Sequence, residues 1–213
     1  SDTWVSWENF IFRGDNQREI FTAGESFSYS SGTIAGLFRL EIPVQLQFKH
    51  YGGQISNYPQ QVETYFNTAA GIKLVTASAG NDISHLGLEC LLFNGKNLTR
   101  NAPSGITGGH GEWYKIFFNW KFAGVEAGYW NSHDFYAPNG DFIFGSVSDH
   151  LTNVVIPDRR ILTCSANLNF LPESFLEFYF GFDGYYDTDL RIFDYALTLH
   201  LRFDKLFRIM AIK

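Results

Sequence analysis

Residues 33–49 read TIAGLFRLEIPVQLQFK, and this stretch decides the fold class. Every even position from Ile34 to Phe48 is apolar or glycine, whereas the odd positions from Arg39 onward are charged or amide residues, apart from Pro43. Side chains alternate between the two faces of a β-strand, so the segment predicts a long strand with one apolar and one polar face. Proline cannot donate to a strand ladder, and we expect a bulge or kink at Pro43.

The same alternation recurs along the chain and predicts about ten strands. Several are longer than the roughly 5–6 residues of an average strand and match the roughly 9–11 residues that cross a bilayer at a tilt. The predicted strands are 4–13, 18–29, 33–49, 62–75, 85–94, 113–122, 124–132, 160–170, 175–186 and 192–203.

The predicted connections alternate between short and long. After a first link at 14–18, the second, fourth, sixth and eighth are short: 30–33, 77–84, 123–124 and 171–174. The third, fifth and seventh are long: 50–61, 95–111 and 131–158. Outer-membrane barrels have short periplasmic turns and long external loops, and an even strand count with both termini in the periplasm produces this alternation.

Composition agrees with a strand-built membrane protein. Charged residues make up 18% of the chain, below the roughly 25% of soluble domains, while aromatic residues also reach 18%. No apolar run approaches the roughly 18 residues of a membrane helix, so contact with lipid would be made by strands. The net charge of −6 without a basic tract argues against nucleic acid. The two cysteines, Cys90 and Cys164, lack metal-like spacing, and we expect free thiols on apolar faces.

We therefore expect a single domain over 1–213: an all-β, ten-stranded antiparallel transmembrane β-barrel in the outer membrane of a Gram-negative bacterium, with periplasmic termini. Twelve strands would result if the seventh connection formed a hairpin around 142–145, and a soluble barrel or sandwich is the alternative fold. The lumen should be filled by paired charges, because buried charges persist only when paired. Those predicted to point inward are Arg39, Glu41, Lys49, Glu89, Lys115, Lys121, Glu126, Glu177, Asp183, Asp194 and Arg202.

His50 ends the clearest strand and is the first candidate for chemistry. Outer-membrane phospholipases and lipid A deacylases carry a His-x-Ser motif on such a strand, in which the histidine activates the serine. Here the position two residues after His50 is Gly52, so the nucleophile of that motif is missing. Ser56 could reach His50 only through a folded loop. An esterase based on His50 is therefore disfavoured but stays open.

His133 and Asp134 begin the longest connection and are the second candidate. Omptin proteases use a His-Asp pair that faces two further aspartates at the mouth of a ten-stranded barrel. Asp187 and Asp189 could in principle face His133 and Asp134, although neighbours on one strand point to opposite faces. A pair of this kind is usually a solvated rim, so a protease is also disfavoured.

Aromatic residues beside Asn, Asp and Gly in the predicted external loops could stack on sugars or anchor a partner protein. The alternative is the ordinary aromatic girdle of an outer-membrane barrel. The candidate binding residues are His50, Tyr51, Gln54, Tyr58, Trp130, His133, Asp134, Tyr136, Tyr185 and Tyr186. No catalytic residue, metal ligand or cofactor motif is predicted.

Four segments together resemble a family of mostly uncharacterised outer-membrane barrel proteins from Bacteroidetes. They are residues 8–19, with Glu8-Asn9-Phe10 and Asp15-Asn16-Gln17-Arg18-Glu19, residues 50–55, residues 128–130, and residues 138–148. The resemblance implies a barrel in the outer membrane and supplies no catalytic residues.

The expected function is non-enzymatic: an accessory subunit or surface-binding module that acts through its external loops. The alternatives are a surface hydrolase, either an esterase or an omptin-like protease, with its site at the barrel mouth, and then a narrow channel. The expected partners are outer-membrane lipid and lipopolysaccharide, and a larger outer-membrane protein complex is a further candidate. No nucleic acid partner is expected.

Overall fold

A computed structural model describes residues 1–9, 18–52, 62–76, 85–99, 105–140, 142–147, 154–170 and 176–203. Ten antiparallel strands form one sheet in sequence order, which confirms the predicted all-β fold and strand count. They are β1 Asp2–Asn9, β2 Ile20–Ser30, β3 Phe38–Tyr51, β4 Glu63–Thr76, β5 His85–Asn97, β6 Gly108–Trp120, β7 Ala123–His133, β8 Asp158–Phe170, β9 Leu176–Asp187 and β10 Ile192–Phe203. In the described residues, no helix is long and apolar enough to span a membrane.

The ladders differ from the sequence prediction in local detail. The sixth turn is formed by residues 121–122, so Lys121 lies in the turn over the ring of Phe122 and not on the lumenal face of a strand. At Pro43 the ladder from β3 to β4 is interrupted between Glu41 and Val44 without a change of register, because proline offers no N–H. The expected bulge is therefore only a local break in the ladder.

Each strand presents one apolar face to the outside, as the alternation predicts. Large apolar side chains on this face are 36–65% exposed, and β10 contributes Tyr195 at 65%, Leu197 at 62% and Leu199 at 60%. The opposite face carries ion pairs, including Lys115 with Glu89 at 2.6 Å. These ion pairs therefore face inward.

Residues 134–140 and 142–147, which we call the plug segment, fold back against the inner face. Asn139 contacts Thr22 of β2 and Lys49 of β3, while the ring of Phe144 lies 5.8 Å from that of Tyr185 of β9. Five residues of chain span at most about 18 Å, whereas a flat sheet would hold β2 and β9 roughly 34 Å apart. The sheet must therefore curl around the plug segment as a barrel does.

The plug segment replaces the expected second hairpin of the seventh connection. Phe142–Phe144 form one 3₁₀ turn, and in the described part of this connection Val147 and Val155 form only an isolated bridge. The twelve-stranded alternative is thus not observed. The segment is anchored at its far end by Arg159, whose guanidinium donates to the Gly145 carbonyl at 2.9 Å and pairs with Asp187.

The best-buried apolar cluster lies inside the barrel, around the plug segment. Trp130, Phe135, Ile143 and Ile161 are 0–7% exposed and pack with Phe93, Trp113 and Phe144. At this end of the barrel, aromatic rings occupy the inner face together with the ion pairs. Ring centroids of Trp130 lie 5.2 Å from Phe93 and 5.4 Å from both Phe135 and Phe144.

Both cysteines are free, and each stands on the outer face of its strand, Cys90 on β5 and Cys164 on β8. If this face lies in lipid, a membrane-impermeant maleimide should leave both thiols unlabelled in intact outer membranes. Hydrocarbon keeps the polar reagent out and disfavours the thiolate, which is the form that reacts. Labelling of the same protein after denaturation, followed by mass spectrometry, provides the reference. Rapid labelling in intact membranes would contradict the assigned lipid face.

Candidate functional site

The candidate site lies on the outer face where β3 ends, and its centre is His50. Strand pairing places Phe21 of β2 and Thr64 of β4 on either side of His50. The imidazole Nδ1 lies 2.9 Å from the Thr64 hydroxyl oxygen, and the ring stacks on Phe48 with an interplanar angle of 11°. The register of the three strands therefore brings the Thr64 hydroxyl and the Phe48 ring to two different sides of the imidazole.

Glu19 reaches the other side of the imidazole from the residues before β2. Its carbonyl accepts the Gly52 N–H at 2.9 Å, and its carboxylate Oε1 accepts the indole N–H of Trp7, also at 2.9 Å. A Cβ built on Gly52 would lie 3.2 Å from the carboxylate Oε2 of Glu19 and 3.4 Å from Nε2 of His50. A side chain at position 52 would therefore press on both groups, and glycine allows the carboxylate and the imidazole nitrogen to approach this closely.

An aromatic row continues from this pair across the outer face. The ring centroids of Trp7 and Phe21 are 4.7 Å apart, and those of Phe21 and Phe48 are 6.3 Å apart. Phe66 of β4 pairs with Phe48 in the ladder and is 36% exposed. The polar side chains lie at the strand ends, and the aromatic rings lie beside them and further along the strands. An amphiphilic molecule at a membrane interface has the same order of polar and apolar parts. We call this group of residues the outer site, and its members are Trp7, Glu19, Phe21, Phe48, His50, Gly52, Thr64 and Phe66.

His133 lies in a different place, on the outer face at the end of β7. Its Nδ1 contacts Asp158 at 2.7 Å, and its Nε2 lies 3.5 Å from Asp134. Asp187 is buried in its ion pair with Arg159, whereas Asp189 pairs with Arg160, which lowers the pKa of the Asp189 carboxyl by hydrogen bonding. The two further aspartates of the omptin hypothesis are therefore engaged by arginines and do not contact His133.

The remaining predicted binding residues do not gather at one surface. Trp130, Tyr136 and Tyr185 face the lumen, where the Tyr136 ring lies 5.1 Å from that of Tyr65 and burial raises the pKa of the Tyr136 phenol. Tyr51 also points inward, with the Arg18 guanidinium 5.1 Å from its ring centroid. Tyr186 is on the outer face and 38% exposed, while Gln54 and Tyr58 lie outside the described residues.

Sequence reasoning missed Glu19, Thr64 and Trp7 as members of the outer site. Nothing local marks them, because each is an ordinary rim residue and they become neighbours only through the register of β1 to β4. A metal site is not supported either: among the described residues, no group of three His, Cys, Asp or Glu is placed to hold a metal ion.

The fold and the outer site define a class: a ten-stranded barrel that carries a histidine beside a carboxylate on its outer face. The chain belongs to the Lipid A 3'-O-deacylase-type family, whose profile matches residues 1–212. No curated protein and no solved structure matches the chain. The family match fits the expected outer-membrane barrel family, and an origin in Bacteroidetes stays a prediction. It also gives the esterase alternative more weight than the sequence did.

Proposed function

We propose that this protein is an integral outer-membrane barrel that binds a lipid A-type glycolipid at the outer site without hydrolysing it. The observation that carries the proposal is Gly52. In the His-x-Ser arrangement the residue two positions after the histidine supplies the nucleophile, and here that residue has no side chain although its Cβ would point at Nε2 of His50. The proposal keeps the surface binding that the sequence predicts, but it locates the binding site on the outer face and not in the external loops.

The two nitrogens of His50 support the absence of hydrolysis. A histidine that activates a hydroxyl uses one ring nitrogen as the base, and an acidic group on the other nitrogen stabilises the charge that forms. Nδ1 of His50 contacts the hydroxyl of Thr64, which carries no charge, and Nε2 faces Gly52. Both partners that such a reaction needs are therefore of the wrong chemical type.

The placement in the outer leaflet rests on the two ends of the barrel. β3 ends at Tyr51 and β4 begins at Glu63, and at the same end β7 and β8 are separated by residues 134–157. The opposite end has connections such as 31–37 and 121–122. Long loops are external in outer-membrane barrels, so His50 would stand near the headgroups of the outer leaflet and the termini would be periplasmic.

The class of ligand follows from the surface around His50 and from the family. Phe21, Phe48 and Phe66 supply an apolar surface on which acyl chains can lie, while His50 and Glu19 supply hydrogen-bonding groups above it. A molecule with several acyl chains and a sugar head matches this order of apolar and polar groups. The family description names lipid A, which is such a molecule.

A second candidate function is hydrolysis with Thr64 as the nucleophile. The 2.9 Å contact between its hydroxyl oxygen and Nδ1 of His50 is within the range for general-base activation. Threonine is a known nucleophile in proteins, and Glu19 stands on the far side of the ring. Against this role, the hydrogen bonds of Glu19 in the described part of the chain go to Trp7 and Gly52 and not to His50.

The test is fatty-acid release from lipid A in mixed micelles, measured by mass spectrometry. We expect no release by the wild-type protein above the His50→Ala variant. The Gly52→Ser/Thr64→Glu double variant places a hydroxyl at Nε2 and a carboxylate at Nδ1, and we expect release at least about tenfold above wild type. Wild-type release that both His50→Ala and Thr64→Ala abolish would replace the proposal by the second candidate.

A further inference from the structure

We propose that the lumen of the barrel contains a second binding site, which accepts a neutral saccharide. Two adjoining cavities of about 370 Å³ and 200 Å³ form this site, and we call them together the lumenal chamber. The larger cavity is bordered by β1 to β5, and the smaller one by β3 to β5 and the plug segment. Gln45, Ala69 and Phe93 line both cavities, which therefore share a wall. The chamber lies inside the barrel, so this inference does not rest on the ligand proposed for the outer site.

The curl of the sheet and the path of the plug segment create the chamber. Asp2 of β1 and Glu89 of β5 line the same cavity although three strands lie between them in the sheet, which requires that the sheet curl. Asn139 of the plug segment lines the smaller cavity and contacts Lys49, which follows Gln45 on β3 in the direction of the long connections. The plug segment therefore borders the chamber on that side, and the larger cavity lies towards the opposite end of the barrel.

The charged side chains around the chamber favour a ligand without net charge. Glu89 pairs with Lys115 at 2.6 Å, and Lys49 pairs with Glu8 at 2.9 Å. A charged ligand would lose its hydration in the lumen and would have to compete with one of these pairs for a partner. Asp2 also lines the larger cavity and would repel an anion. A neutral ligand meets neither cost.

Neutral hydrogen-bonding groups make up much of the polar lining. Gln45, Gln47 and Asn139 line the smaller cavity, while Ser26 and Ser28 line the larger one. In the part of the chain that the structure describes, no hydrogen bond engages the side-chain amide of Gln45 or of Gln47. Each amide offers a donor and an acceptor, and each hydroxyl offers both at one oxygen. A molecule that carries several hydroxyls can use all of these groups, whereas an acyl chain would leave them without partners.

Two aromatic rings form another wall of the chamber. Phe93 lines both cavities, and its ring centroid lies 6.0 Å from that of Phe135, with an interplanar angle of 68°. A pyranose ring has an apolar face of C–H groups, which packs on an aromatic ring, and hydroxyls around its edge. The chamber presents the same two kinds of surface, and its larger cavity is within the roughly 300–1,000 Å³ of small-molecule sites. A saccharide therefore fits its size and its chemistry.

The experiment titrates four probes, glucose, galactose, N-acetylglucosamine and maltose, against the folded protein in micelles of a detergent without a sugar head group. Saturation-transfer NMR measures binding. We expect at least one probe to bind with a dissociation constant on the order of 1 mM, as a few neutral hydrogen bonds and one stacked ring provide. Ala69→Leu should weaken that binding at least about tenfold, because Ala69 lines both cavities and a larger side chain occupies their shared wall.

Ala70→Leu is the matched control, since Ala70 is the next residue of β4 and pairs with Leu92 on the outer face. It adds the same side chain outside the barrel, so saccharide binding should not change. Gln45→Met keeps nearly the same shape without the amide and should weaken binding roughly fivefold, which decides the matter if Ala69→Leu does not assemble. Binding of none of the four probes, or binding that Ala69→Leu and Gln45→Met leave unchanged, overturns this inference. Lipid A binding at the outer site is measured separately and is not affected by that outcome.

Discussion

Trp130→Ala is expected to lower the free energy of unfolding by about 3–5 kcal/mol, which is the usual cost of truncating a buried tryptophan. Trp130 is 2% exposed and packs inside the barrel against Phe93, Phe135 and Phe144. Its indole N–H also donates to the Ser132 hydroxyl oxygen at 3.1 Å. Truncation should therefore leave a cavity beside the plug segment and remove the hydrogen bond that the Ser132 hydroxyl oxygen accepts. Urea unfolding of the refolded protein in micelles measures the loss.

Trp120→Ala is the matched control for this prediction. Trp120 ends β6 on the outer face and is 52% exposed, with the ring centroid of Phe122 6.1 Å from its own. Its truncation removes less packing, and we expect a loss well below that of Trp130→Ala. Equal losses for the two variants would mean that the plug segment does not form the core of the folded barrel.

Leu199→Arg is expected to cost roughly 2–4 kcal/mol and to impair assembly, which is the range for arginine on the lipid face near the bilayer midplane. Leu199 is 60% exposed on the outer face of β10, in the middle of the strand. If this face lies in lipid, an arginine there carries its charge into hydrocarbon. The shift of the folded and unfolded bands on a gel without boiling reports assembly, and urea titration in lipid vesicles gives the energy.

Phe193→Arg tests whether lipid depth is the cause. Phe193 lies on the same face of the same strand and is 56% exposed, but it stands near the strand end, where the expected cost is only about 0–1 kcal/mol. The two arginine variants therefore differ in their expected depth in the bilayer, whereas the strand and the exposure of the replaced side chain are nearly the same. A wild-type protein that folds without detergent into a soluble monomer would contradict the transmembrane assignment.

The plug segment shows where sequence reasoning stops. β6 begins at Gly108, five residues before the predicted start. The prediction starts later because glycines such as Gly109 and Gly111 are typical of a loop. The structure gives the reason for these glycines: a Cβ on Gly111 would lie 2.4 Å from the ring of Trp130, and one on Gly109 would lie 2.1 Å from the Asp134 carbonyl oxygen. Glycine marks a close approach here, and a pattern of polarity cannot distinguish that from a turn.

The outer site shows a second limit of the same kind. His50 and the missing serine at Gly52 are visible in the sequence, since two positions along one strand share a face. Glu19 and Thr64 lie fourteen or more positions from His50 in the chain, and no sequence motif links either of them to the histidine. Only the ladders that set Phe21 and Thr64 beside His50 bring the carboxylate and the hydroxyl to the imidazole.

The sequence by itself determined the all-β class, the ten strands, their outward apolar faces and the unequal ends of the barrel. These depend on a period of two and on connection length, and both are local quantities that each segment carries alone. The tertiary structure decided that Trp130, Tyr136 and Tyr185 face the lumen, and that Glu19, His50 and Thr64 meet on the outer face. Those contacts depend on strand register and on the path of one long connection, which are set by packing between residues distant in the chain.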